Sequence, residues 1–155
     1  MRTILLLVVV LVGLGACSGS PKPYGRWALD RDAARSAFEV AYRNNPGAKK
    51  ILDEIIAAGT PQAAAAVVDA LDVTYEILED KTYSHTFKIT KTVPPVLVPT
   101  EASQRGTWST SGAELTLTPT EMNGVKGSAP AVKSLLTFDT MSYDFFGVGL
   151  TLRRL

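Results

Sequence analysis

Tyr83-Ser84-His85-Thr86-Phe87-Lys88-Ile89-Thr90 decides the fold of this 155-residue chain. Tyr83, His85, Phe87 and Ile89 fall on one side, and Ser84, Thr86, Lys88 and Thr90 on the other. Successive strand residues point to opposite faces, so this stretch is a strand with one apolar and one wet face.

The same period of two runs outward in both directions. Val73, Tyr75 and Ile77 alternate with Thr74 and Glu76, and Glu79-Asp80-Lys81 supplies a turn between the two strands. Downstream, Pro94, Pro95 and Pro99 rule out a central strand, so 93–103 reads as a loop or edge segment. Gly106-Thr107-Trp108 opens the next strand, Ser111-Gly112 turns it, and Leu alternates with Thr over 113–118. After a loop at Asn123-Gly124 and 127–130, residues 132–139 and 145–153 read as a closing pair. The tail therefore predicts about six antiparallel strands. Each has an apolar face and a Thr, Ser or Lys face, the pattern of a water-soluble barrel. A membrane-spanning barrel needs the apolar band outside and is excluded.

Upstream the period changes. Tyr24 to Leu29 alternates, with Trp27 and Leu29 on one face, and reads as a first strand. Asp30 then suits a helix N-cap. Ala34, Phe38, Ala41 and Tyr42 follow at helical spacing until Asn44-Asn45-Pro46-Gly47. Ala48, Ile51, Leu52 and Ile55 mark a second helix with Gly59 as its stop, and Thr60-Pro61 starts a third that runs through 63–71. The stripes are narrow, which places these helices on a surface. The predicted fold is α+β and β-rich. It is an antiparallel meander barrel or strongly curved sheet, with a helical insertion at about 30–71 after the first strand.

The N-terminus carries an address. Arg2 precedes an apolar run from Ile4 to Leu14 that is shorter than the roughly 20 residues a membrane span requires. Leu14-Gly15-Ala16-Cys17 then resembles the lipobox of bacterial lipoproteins at every place. The resemblance implies a signal peptide at 1–16, a diacylglycerol on the Cys17 sulfur and a membrane anchor through that lipid. Residues 17–23 become a short polar tether and 24–155 the domain. Ser18, where Asp would favour retention in the inner membrane, implies the outer membrane of a Gram-negative envelope, facing the periplasm.

Charge and cysteine content narrow the function. The chain has 16 Lys+Arg against 15 Asp+Glu, and removing 1–16, which holds Arg2 and no acid, leaves 15 against 15. Such a balance offers no basic footprint for nucleic acid. With Cys17, the only cysteine, acylated as the resemblance implies, no thiol remains for a disulfide, a nucleophile or a metal, and His85, the only histidine, makes no transition-metal site unaided, so no cofactor is expected. Asp30 and Asp32 read as a helix cap and a first-turn acid rather than paired catalytic carboxylates.

Gly25-Arg26-Trp27 in a first strand resembles the Gly-x-Trp opening strand of lipocalins and fatty-acid-binding proteins. In the latter a helix pair follows that strand and caps the barrel mouth. The resemblance implies a lipocalin-like (calycin-like) domain. The Arg-x-Tyr that holds a ligand carboxylate in fatty-acid-binding proteins has no counterpart, because Arg153-Arg154 is followed by Leu155.

Trp27, Tyr83, His85, Phe87 and Trp108 are the candidate lining of an apolar interior, either a pocket or plain core. His85 reads as a core or pocket-lining histidine held by one hydrogen bond. Ser84 cannot serve as its nucleophile, since adjacent strand residues face opposite ways. The expectation is a non-catalytic binding or interaction module for a small hydrophobic ligand or a protein partner. An envelope hydrolase using His85 and a ligand-free structural spacer are the alternatives.

Overall fold

A computed structural model describes residues 20–92, 100–145 and 147–155. The signal peptide, Cys17 and the three prolines of the 93–99 segment lie outside the described residues. The first strand, β1 (Gly25–Leu29), runs into Asp30, whose carboxylate caps α1 (Arg31–Asn44) by accepting the Ala33 N–H at 3.1 Å. Asn45 ends α1 and caps α2 (Pro46–Ile56), accepting from Gly47 and Ala48 at 3.0 and 3.1 Å. Thr60 caps α3 (Pro61–Ala66), with its hydroxyl accepting from Ala63.

Two predicted boundaries are corrected here. Ala57, at φ 47°, makes the left-handed turn that ends α2, two residues before Gly59. The third helix stops at Ala66, tightens into a 3₁₀ turn over Val67–Ala70, and Leu71 already belongs to β2 (Leu71–Ile77). Leu71 pairs with Ile89 in the ladder, and that pairing outweighs its helical spacing.

The remaining strands are β3 (Thr82–Ile89), β4 (Thr100–Ser111), β5 (Glu114–Met122), β6 (Val125–Lys126), β7 (Val132–Leu135), β8 (Thr140–Phe145) and β9 (Val148–Arg154). Among the described residues the tail thus holds eight strands, two more than the sequence suggested. Residues 100–103, read as loop, open β4, and Gly106-Thr107-Trp108 lies inside that strand. Gly106 sits at a register shift opposite Pro119, where a residue without an N–H breaks no regular ladder. The closing pair is β8 with β9, whereas Val132–Leu135 pairs with β5. Phe145 ends β8 and is not the start of β9.

All pairings are antiparallel, in the order β6-β5-β4-β3-β2-β1-β9-β8, so the first strand lies between β2 and β9. The sheet curls into a half-barrel. Its two margins meet at one end only. There β7 pairs with β5 over Glu114–Leu117, and the bridge Leu136↔Met141 ties it to β8. The Leu135 N–H donates to the Ser142 hydroxyl at 2.6 Å, in place of a second rung. Past Ser142 the margins part.

Two cores fill the molecule. At the closed end Trp27, Ile77, Leu115, Leu117, Met141 and Leu152 pack together, all almost fully buried. At the other end α1, α2 and the 3₁₀ turn bring Phe38, Leu52, Ile56 and Val68 onto Leu71, Ile89, Val148 and Leu150. Phe87 and Tyr143 touch the margin between the halves. Among the described residues, the two cores draw on all three helices and on most of the strands. Among the same residues, no single helix is long and apolar enough to cross a membrane.

Candidate functional site

The parting of the two margins leaves a cleft of about 350 Å³. Three neighbouring strands build one wall. The ladder pairs His85 with Gln104 and Gln104 with Met122, and Phe87 with Ala102. Tyr143 and Phe145, alternate residues of β8, build the opposite wall. Ala102 and Met122 stay exposed although they share a face with buried neighbours on their strands, because nothing described covers this half of the sheet.

His85 lies between aromatic rings. It stacks on Tyr75 with centroids 4.1 Å apart and planes at 13°, and Tyr143 stands 5.8 Å away on a tilt. Among the described residues its buried Nε2 has no hydrogen-bond partner, contrary to the expectation of a satisfied histidine. A buried unpaired nitrogen costs about 1–3 kcal/mol, so its retention calls for a reason. Burial drags the imidazole pKa from 6.5 to about 4, so the ring is neutral at pH 7. Burial also raises the pKa of Tyr75 and pushes that of Tyr83 up to about 12, and for Tyr143 the nearby Asp144 carboxylate adds to the effect of burial. The Tyr83 hydroxyl donates to Gln104 Oε1 at 3.0 Å, which turns the Gln104 amide N–H groups toward other acceptors.

Phe87 and Phe145 stack at 5.6 Å and 24°, and Phe145 also meets the edge of Phe38 at 6.0 Å. Behind this pair lies a second cavity of about 190 Å³, between the apolar face of α2 and the sheet. Among the described residues, no polar side chain lines it.

Of the predicted lining, His85 and Phe87 line the cleft. Trp27, Tyr83 and Trp108 belong to the closed-end core instead. The two tryptophans are held alike. Trp27 Nε1 donates to the Pro23 carbonyl and Trp108 Nε1 to the Leu78 carbonyl, each at 2.8 Å. A cation covers each ring, Arg154 at 4.5 Å on Trp27 and Lys81 at 3.8 Å on Trp108. Arg154 also donates to the carbonyls of Lys22, Tyr24 and Phe138, clasping the incoming chain against the last strand.

Tyr143, Phe145, Gln104 and Met122 were missed by the sequence reading. A signal for the first two existed in the alternation Met141, Tyr143, Phe145. Gln104 and Met122 become neighbours of His85 only through the register of β3, β4 and β5. Ser103 and Asp144 line the same cleft as His85, but no triad forms from them. Ser103 alternates with Gln104 and so faces away from His85, and Asp144 Oδ1 accepts the Gly147 N–H at 3.2 Å. Among the described residues, no three His, Cys, Asp or Glu side chains gather as metal ligands. No protein-family model, curated protein or solved structure gives a significant match to this chain.

Proposed function

We propose that this chain is a lipid-anchored, non-catalytic binding protein of the bacterial envelope. Its lipocalin-like domain takes a small hydrophobic ligand in the cleft between β8 and β3–β5. The observation that carries the reading is the aromatic cleft itself. Its volume falls in the range of small-molecule sites, and aromatic walls with a few polar groups are their usual lining. The unpaired His85 Nε2 gives a ligand one buried polar group to satisfy. The anchor rests on Cys17 and the apolar run before it, with the outer membrane, facing the periplasm, as the proposed site.

Native mass spectrometry of the 18–155 chain, purified from a bacterial envelope, tests the binding reading. A reproducible added mass that leaves on denaturation, and that Tyr143→Ala diminishes, is expected. A clean apoprotein mass, together with no uptake of any apolar probe, would overturn it. For the anchor, Cys17→Ser is expected to move the protein from the membrane fraction to the soluble periplasm. A parent protein already soluble there would refute it.

A further inference from the structure

We infer that the occupant of the cleft is an uncharged amphiphile with an extended apolar chain. Its polar end lies at His85 and Gln104, and its chain passes between Phe87 and Phe145 into the cavity beneath α2. This deepens the binding reading above and rests on it.

Two independent observations point the same way. The first is the shape of the space. Phe87 and Phe145 line both the cleft and the second cavity, so the two are separated by one stacked ring pair. Leu52, Ile55 and Ile56 of α2 close the far side against Ile89. A dry chamber of about 190 Å³ with carbon walls attracts no water and suits a hydrocarbon. For the chain to pass, one of these two rings must move aside, which would join the two spaces into one bent channel. A compact ligand would fill the cleft and leave the chamber unused; an elongated one fills both.

The second is charge. Among the described residues, no Lys or Arg lines the cleft, and Asp144 is the one carboxylate. A carboxylate, sulfate or phosphate head would enter with no counter-ion among these lining residues. The histidine cannot supply that counter-ion at neutral pH, since it stays unprotonated until about pH 4. A hydroxyl, ester or amide is matched instead. A neutral imidazole nitrogen can donate or accept according to its tautomer, and the Gln104 amide donates.

The test is a binding series by calorimetry on the 18–155 chain at pH 7. The probes are straight-chain 1-alkanols of increasing length, the matching carboxylates, and phenol as a compact probe of the cleft alone. Affinity should rise with each added methylene, approaching about fourfold per step, until the chamber is full. Each alkanol should bind at least about tenfold more tightly than its carboxylate. Ile55→Trp, which fills the chamber from α2, should abolish the chain-length dependence while leaving phenol binding within about twofold. Ile51→Trp serves the same purpose if the first variant unfolds. Phenol binding with no dependence on chain length in the parent would overturn the channel and leave the cleft standing. Carboxylates binding as tightly as alkanols would overturn the uncharged head. Failure of every probe, phenol included, would remove the cleft reading and this inference together.

Discussion

Gly106 is fixed by its surroundings rather than by its backbone angle. A Cβ built there would sit 2.1 Å from the Thr118 carbonyl oxygen and 2.8 Å from the Tyr83 ring. The main chain cannot yield that distance without breaking the β4–β5 register. Gly106→Ala is therefore expected to cost about 3 kcal/mol or more, read as a lowered urea midpoint. The triplet Gly106-Thr107-Trp108 was visible in the sequence. That its glycine sits at a bulge opposite Pro119 was not, because the bulge belongs to the pairing of two strands. His85 carries the pH dependence. The unfolded chain protonates it near pH 6.5 and the folded chain only near pH 4. Between these values the unfolded state holds more protons, so stability falls as pH falls through this window, by on the order of 2 kcal/mol. His85→Phe keeps the stacking surface on Tyr75 and removes the titration. The difference in unfolding free energy between pH 7 and pH 4.5 should shrink by that amount in the variant. An unchanged difference would show that His85 is not the sensor.

At the scale of single elements, local chemistry was readable and boundaries were not. Asp30 and Thr60 cap their helices as their residue types suggest, and the Asn44–Gly47 break gives two helices through one capping asparagine. The end of α2 went astray because Gly59 looked like the natural left-handed residue. Ala57 takes that role at φ 47°, and Asp53, held low in pKa by Lys49 and Tyr42, accepts the Gly59 N–H at 3.1 Å. A non-glycine residue in this conformation costs about 1 kcal/mol, so Ala57→Gly should raise the thermal midpoint by a few degrees. A lowered midpoint would mean that the alanine methyl contributes more than the backbone strain costs. The β7–β9 region was misread for a different reason. Leu135, Leu136 and Phe138 form an apolar group without a clear period, yet only Leu136 is buried, at 2%, against 67% and 63% for its companions. Leu136 is the residue that bridges to Met141, and a three-residue turn then returns the chain along β8. Composition cannot distinguish that hairpin from one long strand.

On the scale of the whole molecule, the α+β plan, the first strand, the helical insertion and the antiparallel tail were legible from periodicity alone. The cleft was not, since it arises from margins that meet at one end and separate at the other. Part of its wall comes from β8, which apart from Phe145 lies between the two stretches that read as the closing strands, and the rest from a row across three strands that only register creates. The same asymmetry should govern local stability. The β2–β3 and β1–β2 ladders lie mid-sheet with a core behind them, whereas the exposed β6 is held by two pairs to β5, and β7 is joined to β8 by one bridge and a serine hydroxyl. Amide exchange should be slowest in β1–β3 and fastest, among the strands, in β6 and along the facing edges of β7 and β8. Uniform protection around the barrel would contradict this.

The clasp of Arg154 on the chain at Lys22 and Tyr24 has a mechanical side. A pull on the polypeptide ahead of Ser20 first meets this guanidinium and the Trp27 indole, which hold the carbonyls of three successive residues, Lys22, Pro23 and Tyr24. Behind them the load enters β1, which is hydrogen-bonded to β2 on one side and to β9 on the other. Force along that strand shears two ladders at once, so their bonds must yield together, whereas an edge strand would peel rung by rung. The N-terminal end of the domain is thus its strongest grip, and tension applied there spreads into the barrel before it reaches the cleft.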